Sequence, residues 1–201
     1  MFPIQVPEKV GASRELARKF GRALVVQDFS NPRTGGVDTF SIWHAKACPV
    51  LALPVTKDGD VIVLDQFRHQ AAFGVADPMD AIAREVPGGN PKDDQTPEDL
   101  IRSEIREETG YAVTGELIRL TPKPIWIDPA SLSFPYWPML ALGCVPEGEP
   151  KPGPTEFFEV LRLSLAEWIR MIHSGKVNDS RAIAITFLAL PYLVARGFRV
   201  S

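Results

Sequence analysis

Between residues 49 and 64 the chain is almost continuously apolar. Pro49-Val50-Leu51-Ala52-Leu53-Pro54-Val55 and Val61-Ile62-Val63-Leu64 flank Lys57-Asp58-Gly59-Asp60. Near-continuous apolar runs of this length predict strands covered on both faces, and the Asp-Gly step predicts the tight turn of a hairpin. Further along, Arg84 to Gly89 reads as a strand ending in a glycine pair, Glu116 to Leu120 and Met139 to Leu142 as two more, and Glu156 to Val160 as the start of another. The period changes at Thr96, Ser164 and Ser180, where apolar residues recur every three or four positions and predict helices. Ser164-Leu165-Ala166-Glu167 has the form of a capping box, with Leu165, Trp168, Ile169 and Ile172 on one stripe and Gly175 as the stop. Ser180 to Arg196 predicts a second, mostly apolar helix bent at Pro191.

The first forty-odd residues follow another pattern. Ser13 to Phe20 predicts a short helix, and Ala23-Leu24-Val25-Val26 and Thr39-Phe40-Ser41-Ile42-Trp43 predict strands on either side of the turn-rich Asn31 to Gly36. A strand pair alone is marginal and needs a partner surface. The expected organisation is therefore a short N-terminal strand appendage, residues 1–46, and a main domain, residues 47–201. Ala71 to Ile82, Thr121 to Ser131 and the Pro- and Gly-rich Pro146 to Thr155 predict loops.

One stretch carries more than packing. Gly88 to Tyr111 reads GGNPKDDQTPEDLIRSEIREETGY: a Gly-Gly turn, a capping Thr96, Pro97 preset for the first helical position, the acids Glu98 and Asp99 against the helix dipole, and Gly110 as the stop. At about 100° per residue, Glu104, Glu107 and Glu108 share one face, beside a stripe of Ile101 and Ile105, with Arg102 and Arg106 on the far side. Like charges at this spacing repel, and a cation reverses the sign. Hard divalent ions such as Mg²⁺ take oxygen ligands, commonly one or two carboxylates plus substrate phosphates. Glu104, Glu107 and Glu108 are thus a candidate metal platform.

Composition narrows the alternatives. A chain of 201 residues, 45% hydrophobic and 23% charged, can bury one good core. A net charge of -3 gives no footprint for duplex nucleic acid. Cys48 and Cys144 lie far apart without CxxC spacing and are expected as free thiols; His44, His69 and His173 form no zinc-binding pair. No basic-then-apolar leader opens the chain, and the apolar run Ala182 to Ala195 is too short to span a bilayer, so a soluble, cytoplasmic protein without membrane partners is expected.

The stretch around Gly110 resembles the Nudix hydrolase signature. Gly89 opens it, and Glu104-Ile105-Arg106-Glu107-Glu108-Thr109-Gly110-Tyr111 closes it. It departs from the pattern twice: Gln95 stands where the family has Glu, and Ser103 where it has Arg. In the family those two positions are mainly structural partners.

The resemblance implies an α/β fold, a Nudix-type α/β/α sandwich with a mixed sheet, the signature helix on one face and the C-terminal helices on the other. Glu85-Val86-Pro87-Gly88-Gly89 and Gln66-Phe67-Arg68 are similar to sequences of the ADP-ribose pyrophosphatase and nucleoside-diphosphate-sugar branch. From that branch come the expected metal ligands Glu104, Glu107, Glu108 and the Gly88 carbonyl, with Mg²⁺ or Mn²⁺ as cofactor. The expected substrate-binding residues are Arg68, Glu85, Trp43 and Pro129. Glu107, Glu108 and Glu156 are the candidate catalytic acids, with Glu147 and Glu149 as alternatives to Glu156 as base. Trp126 or Trp137 could stack on a nucleobase. The implied reaction is hydrolysis of the pyrophosphate linkage of a nucleoside diphosphate attached to X, foremost ADP-ribose, in a homodimer that exchanges its N-terminal strands. Dinucleoside polyphosphates or nucleoside triphosphates are alternative substrates. A Nudix-fold sensor without turnover is the other reading, and the lack of a basic domain after Ser180 weighs against it.

Overall fold

The computed structural model describes residues 4–19, 21–45, 47–91 and 95–199. It divides into two compact units, Met1–Cys48 with Trp126–Pro135, and Pro49–Ile125 with Tyr136–Ser201. In chain order the strands are β1 (Lys9–Lys19), β2 (Arg22–Ser30), β3 (Val37–Ala45), β4 (Val50–Thr56), β5 (Asp60–Phe67), β6 (Ile82–Glu85), β7 (Gly88–Gly89), β8 (Tyr111–Val113), β9 (Leu117–Arg119), β10 (Ile125–Trp126), β11 (Leu132–Ser133), β12 (Pro135–Pro146) and β13 (Phe158–Ser164). The helices are the single turn α1 (His69–Ala72), α2 (Pro97–Thr109), α3 (Leu165–His173) and α4 (Ser180–Ala195), with a 3-10 turn at Pro78–Ala81.

The smaller unit is a sheet in the order β1-β2-β3-β11. Its first strand corrects the sequence reading, because the expected helix at Ser13 to Phe20 is extended chain through Lys19, paired antiparallel to β2 from Lys9 opposite Phe29 to Lys19 opposite Arg22. The composition of this segment suits a helix, but propensity yields to a ladder of backbone hydrogen bonds offered by the neighbouring strand. The smaller unit also takes in Trp126–Pro135, which overlaps the second half of the loop expected from Thr121 to Ser131. All of β1 is exposed, as is most of β3, including Val37 and Phe40.

The larger unit is a mixed sheet with helices on both faces. β12 runs parallel to β4, and β13 antiparallel to β5. Every residue of β4 is buried, as its continuous apolar run predicts. On one face Val50, Ala52, Met139 and Ala141 pack with Leu100, Ile101 and Ile105 of α2. On the other lie α3 and α4, joined by a buried hydrogen bond from Trp168 Nε1 to Thr186 Oγ1 at 2.8 Å. Pro191 sits inside α4. No helix among the described residues is long and apolar enough to cross a membrane.

One irregularity in this sheet creates the site. β4 and β5 pair at Val55–Val61 and then part. β6 takes the freed edge of β5, from Leu64–Glu85 to Phe67–Ile82, and β7 takes the edge of β4 at Val50–Gly89 and Leu51–Gly88. The Val86-Pro87 step between them brings the glycine pair beside the signature helix.

Candidate active site

The signature helix forms as its sequence dictates. Thr96 Oγ1 accepts from Asp99 N at 3.1 Å, Pro97 occupies the first turn, and Gly110 ends the helix with φ of 73°. Burial of Leu100, Ile101 and Ile105 fixes its rotation about its axis. Two acids then meet the glycine pair. Gly88 N donates to Glu108 Oε2 at 2.9 Å, and a Cβ at Gly89 would lie 2.3 Å from the Glu104 carboxyl. A Cβ at Gly88 would instead strike the Val50 carbonyl oxygen at 2.3 Å. Gly88 is therefore demanded by strand packing, whereas Gly89 lets the movable end of the Glu104 side chain lie against bare backbone.

Glu108 sits in an unusual field. Burial pushes its carboxyl up to about 8; the Gly88 N–H works against this, the charges of Glu104 and Glu156 add to it, and Arg68 works against it. Groups from β5's end, α2 and the loop before β13 thus act on one another. Glu107 is exposed and borders a cavity of about 420 Å³ with Glu147, Gly148, Glu149 and Lys151. Arg102 and Arg106 are occupied elsewhere, Arg102 on the Val113 carbonyl at 2.7 Å and Arg106 on Glu147 at 2.5 Å.

Glu85 is 1% exposed and committed to arginines. Arg68 grips it in a fork, Nε to Oε1 at 2.7 Å and Nη2 to Oε2 at 2.6 Å, and Arg181 Nη2 reaches Oε2 at 2.9 Å. Sequence reading missed Arg181, since a lone arginine opening an apolar helix carries no pattern of its own. The two departures from the signature also meet: Gln95 Nε2 donates to Ser103 Oγ at 3.3 Å, and Ser103 Oγ donates to the Leu100 carbonyl at 2.8 Å.

The loop expected to carry a base is pinned where it starts. Glu147 N and Gly148 N donate to the Gly110 carbonyl at 2.8 and 3.0 Å, and Lys151 N to the Glu107 carbonyl at 2.7 Å. Its end closes on itself, with Glu156 Oε2 accepting from Gly153 N at 2.7 Å. Trp137 packs on the core with the Arg119 guanidinium 4.8 Å from its ring centroid. Trp43 and Pro129 belong to the smaller unit. Trp43 is half exposed on β3, and Pro129 lines an apolar cavity of about 490 Å³ with Phe29, Phe40, Ile42, Trp126 and Leu132.

Whether these residues suit a divalent cation can be judged from the donors. Among the described residues no three His, Cys, Asp or Glu side chains converge into a ready-made cage. Mg²⁺ rarely uses one: it binds through one or two carboxylates and completes its shell with water and phosphate oxygens. Glu104 against bare glycine backbone and a Glu108 whose proton affinity is raised first by burial and then by the charges of Glu104 and Glu156 fit that mode, since a cation would relieve the repulsion.

The arrangement, a capped helix whose acids face a Gly-Gly step in a split mixed sheet, is that of a defined class. A family model describing the NUDIX domain matches residues 48–183, well over half of the chain, and the chain belongs to that family. Its fold is shared with a crystal structure described as that of an ADP compounds hydrolase, with a TM-score of 0.79 and 18% sequence identity, covering 99% of this chain and 100% of that one. Curated proteins gave no match.

Proposed function

We propose that the protein hydrolyses the pyrophosphate linkage of a nucleoside diphosphate attached to X, with ADP-ribose or a related nucleotide sugar as substrate and Mg²⁺ or Mn²⁺ as cofactor. One observation carries this reading: Glu104 and Glu108 of the signature helix lie against the Gly88–Gly89 backbone, with Arg68 close enough to act on Glu108. Family membership and the fold shared with an ADP compounds hydrolase support it.

Glu104 and Glu108, with the backbone at Gly88, would hold the metal, and Glu107 on the exposed flank is the third candidate ligand. The bound ion supplies positive charge to neutralise a diphosphate. Arg68 offers guanidinium N–H groups to phosphoryl oxygens, a pairing suited to its planar fork. Glu156, within electrostatic reach of Glu108, takes a proton from the attacking water. Water adds to one phosphorus as its bond to the bridging oxygen breaks, so ADP-ribose gives AMP and ribose 5-phosphate.

A homodimer belongs to the same proposal. β1 is a long edge strand with its apolar Val10 and Leu16 exposed, the kind of edge that natural proteins cover. Cysteines as thiols at positions 48 and 144 suit a reducing, cytoplasmic setting.

A turnover screen of ADP-ribose, other nucleotide sugars, dinucleoside polyphosphates and nucleoside triphosphates with Mg²⁺ or Mn²⁺ tests the reading. AMP release from ADP-ribose is expected, and Glu107→Gln should lose most of the rate while staying folded. Ligand-induced thermal stabilisation without product from any of them would favour a sensor instead.

A further inference from the structure

Arg181 lies in the first turn of α4, outside the signature. Its guanidinium spans two acids, Asp179 Oδ1 at 2.9 Å from Nε and Glu85 Oε2 at 2.9 Å from Nη2. Glu85 is the carboxylate that Arg68 holds at two points, so two cations share one buried anion. Asp179 is 8% exposed, and its Oδ2 is buried without a hydrogen-bond partner. The formal charges of Arg68, Arg181, Glu85 and Asp179 cancel.

Removing Arg181 would leave Glu85 to Arg68 alone and Asp179 uncompensated. A guanidinium carries five N–H donors, and the fork to Glu85 uses one each on Nε and Nη2. The remaining edge is available to an anion, and the Arg68 side chain is 40% exposed. Burial opposes the charge on Arg181, but Asp179 and Glu85 more than offset this.

We propose that Arg181 is a positioning residue for the diphosphate: by sharing Glu85 it fixes the orientation of Arg68 and leaves that guanidinium's charge free to attract phosphoryl oxygens. The inference rests on the pyrophosphate-hydrolase reading above. A preoriented, incompletely neutralised arginine binds a phosphate better than one that must first be released from its own carboxylate.

The test is a double-mutant cycle of Arg181→Met and Arg68→Ala, with Arg181→Lys as the conservative variant, on the full chain with ADP-ribose and Mg²⁺. Arg181→Met should raise KM about tenfold while changing kcat little, Arg181→Lys should recover part of this, and Arg181→Met should add almost nothing in the Arg68→Ala background. Equal effects of Arg181→Met in both backgrounds, or a fall in kcat with KM unchanged, would overturn the proposal. The same four proteins titrated with ADP in a calorimeter read the coupling without turnover. Inactive wild type with intact coupling in ADP binding would sink the hydrolase reading alone, whereas additive losses in ADP affinity would sink the role of Arg181. Failure of wild type to bind ADP at all would remove both.

Discussion

Gln95 donates its amide hydrogen to Ser103 at 3.3 Å, so the two positions at which this chain leaves the Nudix pattern are each other's partners. The departure is one substitution in two halves: a neutral pair in place of acid and base. Gln95→Glu should destabilise the protein by about 1–3 kcal/mol, because its buried Oε1 would become a charge facing only a hydroxyl. Gln95→Glu combined with Ser103→Arg should recover most of that loss. Denaturant unfolding of the four proteins measures the coupling, and additive effects would show that the pair is not a unit.

The two glycines beside the acids should fail differently. Gly88→Ala drives a methyl into the Val50 carbonyl, so it should lower the melting temperature and cost about 1–3 kcal/mol. Gly89→Ala meets the end of the Glu104 side chain, which can move. Its stability should change little while kcat falls, and thermal melts paired with kinetics separate the two outcomes.

The high proton affinity of Glu108 makes stability depend on pH without metal. Its carboxyl is pushed up to about 8 in the fold from the ordinary glutamate value of 4.5, so the folded state binds the proton more tightly than the unfolded chain. Between those values the unfolded state has released the proton and the folded state has not, so stability should fall as pH rises from about 4.5 to 8, by roughly 3–5 kcal/mol if the full difference is expressed. Melting in EDTA across this range should show the decline. Glu108→Gln should flatten it, and saturating Mg²⁺ should reduce it by stabilising the carboxylate.

Glu156 is the candidate base. Glu156→Gln should reduce kcat about 100-fold or more with little change in KM, and flatten the acid limb of the kcat profile. If Glu156→Gln retains full rate while Glu147→Gln or Glu149→Gln loses it, the base lies at the pinned start of the loop instead.

Local signals were enough for several elements. Thr96, Pro97 and Gly110 define α2 by capping and backbone conformation alone, and the uniform burial of β4 follows from its unbroken apolar run. The spacing of Glu104, Glu107 and Glu108 placed the acids on one helix face for the same reason, since a helix has a fixed period. These features depend on neighbours a few residues away.

What the sequence could not contain was pairing across distance. Residues 13–19 have the composition of a helix and became a strand because β2 offered them hydrogen bonds. Only the folded chain sets Arg181 on Glu85, 96 residues apart in sequence, or brings Glu156 near Glu108. The sequence by itself determined the family, the capped helix and its acids; the tertiary structure decided which acid is buried, which glycine faces it and which arginines hold Glu85. Desolvation and charge pairing depend on what surrounds a group in space, and that is fixed only when β4 and β5 part and the chain closes around them.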